Sequence, residues 1–146
     1  MPLEERVAQT DNTVFHYATA ASGALVYLPP QSAGSRQRVA WVDRAGRETA
    51  VNLEPRPYVR LALSPDDQRL ALALDEHGNQ DIWIADPSRN TMSRLTFEPT
   101  IETMPAWSPD GHWVVFRSER EGPGVLRRAA SFPRIAERLT ATDGPA

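Results

Sequence analysis

Leu63-Ser64-Pro65-Asp66-Asp67, running on to Ser93-Arg94-Leu95-Thr96, is matched further along by Trp107-Ser108-Pro109-Asp110-Gly111, running on to Glu137-Arg138-Leu139-Thr140. Both ends of the match keep one offset: Leu63 to Trp107 and Leu95 to Leu139 are each 44 positions apart. A register held at both ends marks a repeated structural unit rather than a recurring short motif. A degenerate third copy lies upstream. Ser22 to Tyr27 falls at the place of Asp66 to Leu72, and Trp41-Val42-Asp43 at that of Ile84-Ala85-Asp86, with the register drifting by about one residue.

The chemistry of each unit points to strands and turns. In Ser-Pro-Asp-Gly, proline presets φ, aspartate accepts hydrogen bonds from nearby backbone, and Gly111 can take the left-handed conformation that closes a hairpin. Asp67 stands where that glycine would be, a position aspartate tolerates at some cost in strain. The runs Arg69 to Leu74, Trp113 to Phe116 and Asp81 to Asp86 are short, apolar and partly alternating, as half-buried strands require, and Met92 to Phe97 supplies a fourth. No window holds a helical stripe. A unit of this length suits a four-stranded propeller blade. The reading is all-β: a partial β-propeller of about three four-stranded antiparallel blades. It divides into an irregular segment over 1–12, a degenerate first blade over 13–53, a second over 54–97, a third over 98–140 and a tail over 141–146.

Composition narrows the function. The chain has 146 residues, 40% of them hydrophobic, enough for a packed core. With 16 basic and 19 acidic residues interspersed, no basic stripe offers itself to nucleic acid or an anionic membrane. The absence of cysteine removes disulfides and thiolate chemistry but leaves the compartment open. No apolar stretch reaches membrane-spanning length, and the charged opening with Glu4, Glu5 and Arg6 reads as neither signal peptide nor anchor.

Taken together, Trp107-Ser108-Pro109-Asp110-Gly111, the short strand after it, Ile82-Trp83-Ile84-Ala85-Asp86 and the closing Arg-Leu-Thr resemble the repeat of TolB-type β-propellers. Phe15 to Val51 resembles the degenerate blade beside such repeats in large bacterial proteins that fuse propellers to other domains, serine/threonine kinases among them. The resemblance implies a scaffold for protein contacts, or the accessory propeller of a larger enzyme such as a prolyl-oligopeptidase-type peptidase or a kinase sensor. It also suggests a periplasmic or extracytoplasmic setting. Closed propellers have four to eight blades, so about three blades leave two apolar faces to be covered. Either the chain is part of a longer protein, or two copies join as a homo-oligomer into a six-bladed ring.

Candidate chemistry is sparse. His16, His77 and His112 lack the spacing of a metal site, and no Gly-x-Ser-x-Gly, phosphate-cradling loop or kinase signature occurs. The reading therefore names no catalytic residue, metal or cofactor. Asp66, Asp81, Asp86 and Asp110 have the donor chemistry of a calcium site, but turn roles account for their positions better. Trp41, Trp83, Trp107, Trp113 and Phe116 read as core between blades. Partner contacts are expected on the loops between second and third strands: Glu76, His77, Asn79 and Gln80 in one unit, Glu119, Arg120 and Glu121 in the next, and Gln31 to Gln37 in the first. These loops should share a face with the links Pro55 to Pro57 and Glu98 to Thr103. The expected partner is a protein or an adjacent domain.

Overall fold

The structure is a computed structural model that describes residues 16–29, 35–120, 124–129 and 137–139. Its described residues form three four-stranded antiparallel sheets, each a meander in chain order. The first contains β1 (His16–Thr19), β2 (Leu25–Leu28), β3 (Ala40–Val42) and β4 (Glu48–Ala50). The second contains β5 (Tyr58–Leu63), β6 (Leu70–Glu76), β7 (Asn79–Asp86) and β8 (Thr91–Arg94). The third contains β9 (Glu102–Trp107), β10 (Trp113–Ser118), β11 (Gly124–Ala129) and β12 (Glu137–Arg138). The architecture is the all-β partial propeller expected from the repeat. Among the described residues no helix is long and apolar enough to cross a membrane.

The Ser-Pro-Asp turn is built identically twice. Ser64 Oγ donates to Asp66 Oδ1 at 2.5 Å and accepts from Arg69 N at 2.9 Å, while Gln68 N donates to the same carboxylate at 3.1 Å. Ser108, Asp110, Trp113 and His112 repeat the pattern at 2.5, 3.0 and 3.0 Å. These bonds hold the Asp66 and Asp110 carboxyls below the usual carboxylate range, the serine hydroxyl contributing most in each. Asp86 and Asp43 do the same at the turns after β7 and β3, taking N–H bonds from Arg89 and from Ala45 and Arg47. At the variable turn position, Gly111 has φ 72° and Asp67 φ 59°. Asp67 recovers part of its strain: its Oδ2 accepts the Ala21 N–H of the neighbouring sheet at 3.0 Å.

Sheet packing follows from strand alternation. In β6, Leu70, Leu72 and Leu74 face the first sheet, and Ala71 and Ala73 face the third. The partner strand compensates, since Ala71 pairs with Ile84 and Ala73 with Ile82 on one face, and Leu70 pairs with Ala85 on the other. Small beside large keeps both faces level enough for a sheet to lie on each. The second sheet is thus the centre of two cores. One joins Val26, Leu28, Val39, Tyr58 and the three leucines, the other Ile82, Ile84, Leu95, Val114, Phe116 and Leu126. Each such buried aliphatic or aromatic side chain stabilises the fold by roughly 1.5–3 kcal/mol. β5 packs against β1 on one side and β9 on the other.

The Arg-Leu-Thr closure locks the outer strand of the second sheet. Thr96 is fully buried, and its hydroxyl accepts from Ile82 N at 2.9 Å and donates to Asp81 Oδ1 at 3.2 Å. Arg94 clamps the other Asp81 oxygen at 2.5 Å. Burial nevertheless raises the Asp81 pKa, outweighing Arg94 and the hydrogen bonds. The third unit repeats the backbone part of the lock, Leu139 N to Val125 O at 2.9 Å matching Leu95 N to Ile82 O at 2.8 Å.

The aromatic core departs from the sequence reading. Phe116 is 1% exposed, but Trp41, Trp83 and Trp107 are only half-buried at the rims of the two cores, and Trp113 lies on the outer face of the third sheet. The reason is polar. Trp107 Nε1 donates to Ala62 O at 3.1 Å, and Arg56 and Arg69 lie over the rings of Trp83 and Trp107 at 4.7 and 4.6 Å, which places those rings where guanidinium groups reach water.

Candidate functional site

The hairpins between second and third strands meet the links between sheets, and their meeting forms the candidate surface. Gln37 in the first sheet's connection bonds both ways to Arg56 in the link, N to O at 2.9 and 3.2 Å. Arg56 then reaches Glu76 at 2.8 Å, tying that link to the hairpin of the second sheet. Around this junction Arg36, Arg56, Pro57, Asp75, Glu76, His77 and Gly78 line a hollow of about 530 Å³.

The structure narrows the expected loop. Only His77 and Gly78 lie outside strands; Glu76 pairs with Asn79 and Asp75 with Gln80 in the ladder of β6 and β7. With φ 60° at His77 and 84° at Gly78, the connection is a two-residue turn of the kind whose twist matches the flanking strands. Asp75 Oδ1 steadies it by accepting the Gly78 N–H at 2.9 Å. Asn79 turns to Asp81 at 3.0 Å, so its amide supports the buried Asp81–Arg94–Thr96 group.

The next junction is tied from the same hairpin position, but the sign of its charge is reversed and its partners stand at other positions of the link. Arg120, 44 positions after Glu76, binds Glu98 at 2.7 Å and Glu102 at 3.2 Å. Thr100 occupies the place of Arg56, and the Glu102–Ser118 contact at 3.1 Å occupies that of the buried Tyr58 and Leu74. Glu102 is fully buried. Glu119 N bonds Ile101 O at 3.2 Å, and Glu119 also pairs with Arg117 at 3.2 Å. Glu121, and residues 31–34 of the first connection, lie outside the described residues. The change of sign at the hairpin position was readable in the repeat alignment, since Glu76 and Arg120 share a register. The stacking of Arg56 on Trp83 was not, because it joins a link to a strand face.

His77 lies on this face. His112 lies in the hairpin between β9 and β10, 3.5 Å from Asp110, and His16 opens β1. The three are on separate elements. Asp66, Asp86 and Asp110 belong to separate turns and Asp81 to the lock beside β8. Among the described residues no group of three or more histidine, cysteine, aspartate or glutamate side chains is placed to hold a metal ion.

A sequence profile of the TolB β-propeller domain, PD40, matches residues 6–144. The chain belongs to the TolB β-propeller family. Among solved structures, this TolB-family chain is similar to a putative TolB from Agrobacterium tumefaciens, with 21% identity and a TM-score of 0.72 over 87% of this chain and 46% of that one. It is also similar to TolB from Acinetobacter baumannii, with 21% identity and a TM-score of 0.71 over 87% of this chain and 32% of that one. The tricorn protease matches at 14% identity and a TM-score of 0.62 over 84% of this chain and 14% of that one. The TolB-family chain therefore spans less than half the length of these relatives, and at such identities the likeness concerns the fold.

Proposed function

We propose that this TolB-family chain is a non-catalytic interaction scaffold that presents its hairpin face to a protein partner or to adjacent domains. The observation that carries the reading is the pair of cross-linked junctions, Arg56–Glu76 and Glu98–Arg120–Glu102. They hold short hairpins and inter-sheet links in one relative position, so polar side chains are displayed on a preorganised surface and little ordering entropy is lost on binding. His77, Arg36 and Glu119 are the exposed groups there that a partner would meet first.

Site-specific photo-crosslinkers test the reading. Placed at His77 or Glu119 in cells, they are expected to trap the same protein. Placed at Asn90 or His112, in turns at the other end of the sheets, they are expected to trap none. Equal trapping at both ends, or at neither, would refute it.

A second reading makes the same scaffold the accessory propeller of a larger enzyme, either a gate over a peptidase or the sensor region of a kinase. The likeness to the tricorn protease favours the peptidase form. Adjoining sequence decides: a Gly-x-Ser-x-Gly elbow within an α/β-hydrolase pattern supports the gate, and a kinase catalytic loop the sensor.

A further inference from the structure

Three buried side-chain atoms at the Arg120 junction have no hydrogen-bond partner among the described residues: Thr100 Oγ1, Glu102 Oε2 and Arg120 Nε. Glu102 is wholly buried, and its other oxygen is engaged, accepting from Ser118 Oγ at 3.1 Å and from Arg120 Nη2 at 3.2 Å. Leaving a buried polar atom unbonded costs free energy, and three at one junction call for a common partner.

The repeat explains why they gather. Glu119 N bonds Ile101 O at 3.2 Å as Asp75 N bonds Pro57 O at 3.0 Å, and Ser118 pairs with Glu102 as Leu74 pairs with Tyr58. Backbone at the two junctions thus follows one plan, the matching residues standing 44 positions apart. In the earlier junction Arg56 spans from link to hairpin, and the wholly buried Tyr58 stands two residues on. Thr100 and Glu102 take those places in the later one, and both side chains are shorter. Arg120 reaches back from the hairpin to Glu98 at 2.7 Å and to Glu102, the carboxylates on either side of Thr100 in the chain. Thr100 and Glu102 therefore fill less of the space between link and hairpin than Arg56 and Tyr58 do, and the three unbonded atoms belong to the side chains around it.

The chemistry of those atoms says what fits. Arg120 Nε can only donate, a carboxylate oxygen only accepts, and the Thr100 hydroxyl does either. A cation would meet the Arg120 guanidinium, and an anion the Glu98 and Glu102 carboxylates, each at the cost of like charge. Water both donates and accepts, and a buried water typically makes about three hydrogen bonds to polar groups otherwise unsatisfied.

We propose that the Arg120 junction holds one structural water, which accepts from Arg120 Nε, donates to Glu102 Oε2 and shares a hydrogen bond with Thr100 Oγ1. It takes up the room that the longer Arg56 occupies in the earlier junction, so this joint is tied through solvent as well as by its ion pairs.

A crystal structure of the 146-residue chain should show a solvent peak about 2.7–3.2 Å from all three atoms. In solution, a nitrogen-edited NOE spectrum should give a cross-peak between the Arg120 Nε–H and water, with the sign of a bound rather than a diffusing molecule. Thr100→Leu fills that room with apolar atoms and should abolish the cross-peak. The Glu119 amide, bonded to Ile101 O, should stay protected from exchange in this variant, which shows that the junction still forms. Arg120 Nε bonded directly to Glu102 Oε2 with no solvent peak, an ion identified there by anomalous scattering, a wild-type spectrum without the cross-peak, or a cross-peak that survives Thr100→Leu would each overturn the proposal. The crystal structure and the wild-type spectrum decide even where the variant does not fold. None of these readouts involves a partner, so the scaffold reading stands or falls separately by its crosslinking experiment.

Discussion

Replacing Arg69 with alanine should weaken the joint between the second and third sheets by a calculable amount. Its Nη2 donates to Gly111 O at 2.9 Å, across 42 positions of sequence, and its guanidinium lies over the Trp107 ring at 4.6 Å. A hydrogen bond from a charged donor contributes about 1.5–3 kcal/mol and cation–π stacking about 0.5–1 kcal/mol where water still reaches the group. Arg69 is only half-buried, so the lower ends apply, for a loss of about 2 kcal/mol. Urea unfolding followed by far-UV circular dichroism reads this directly: with a slope of roughly 2 kcal/mol/M, the midpoint should fall by about 1 M. Arg69→Lys keeps the charge but not the planar fork and should lose about half as much. A double-mutant cycle with Trp107→Leu should give a coupling of about 0.5–1 kcal/mol. An unchanged midpoint for Arg69→Ala, or additive single and double variants, would refute the account of the joint.

Gly111→Ala should cost about 1–2 kcal/mol from backbone strain alone, because the added methyl meets nothing closer than 3.7 Å. Asp67→Gly should be close to neutral in the same assay, relief of strain offsetting the lost bond to Ala21, whereas Asp67→Ala should cost about 1–2 kcal/mol. Thr96→Val keeps shape but strands the buried Ile82 N–H, and should lower stability by about 1–3 kcal/mol by urea titration. Tyr58, whose hydroxyl donates to Glu54 O at 2.6 Å, has its pKa pushed up to about 12 by burial. The unfolded chain then releases that proton first as pH rises, so stability should be intact below pH 10.0 and fall from there to about 12, a decline Tyr58→Phe removes.

The hairpin face was only partly legible in sequence. Glu76, His77, Asn79 and Gln80 were read as one loop, yet the register Glu76↔Asn79 carries the ladder to the end and leaves a two-residue turn. A sequence with His-Gly in place of the usual Asn-Gly conceals such a turn, since His77 must adopt a positive φ that its residue type seldom announces. Tryptophans at strand positions were read as core because apolar area is visible in sequence. The arginines that hold Trp83 and Trp107 at the rim come from Arg56 and Arg69, outside the strands the rings occupy.

Sequence by itself determined the repeat, the strands within it and the turns that reverse them. All three depend on spacing and local chemistry: an offset of 44, a period of two, and Ser-Pro-Asp satisfying its own backbone. Tertiary structure alone decided how one unit grips the next. Ala21 N–H to Asp67 and Arg69 to Gly111 join residues of different sheets that no local rule relates. Each exists only because burial of Leu72 on one side and Phe116 on the other brings neighbouring sheets to a single separation and angle, at which a side chain from one can reach the backbone or charge of another.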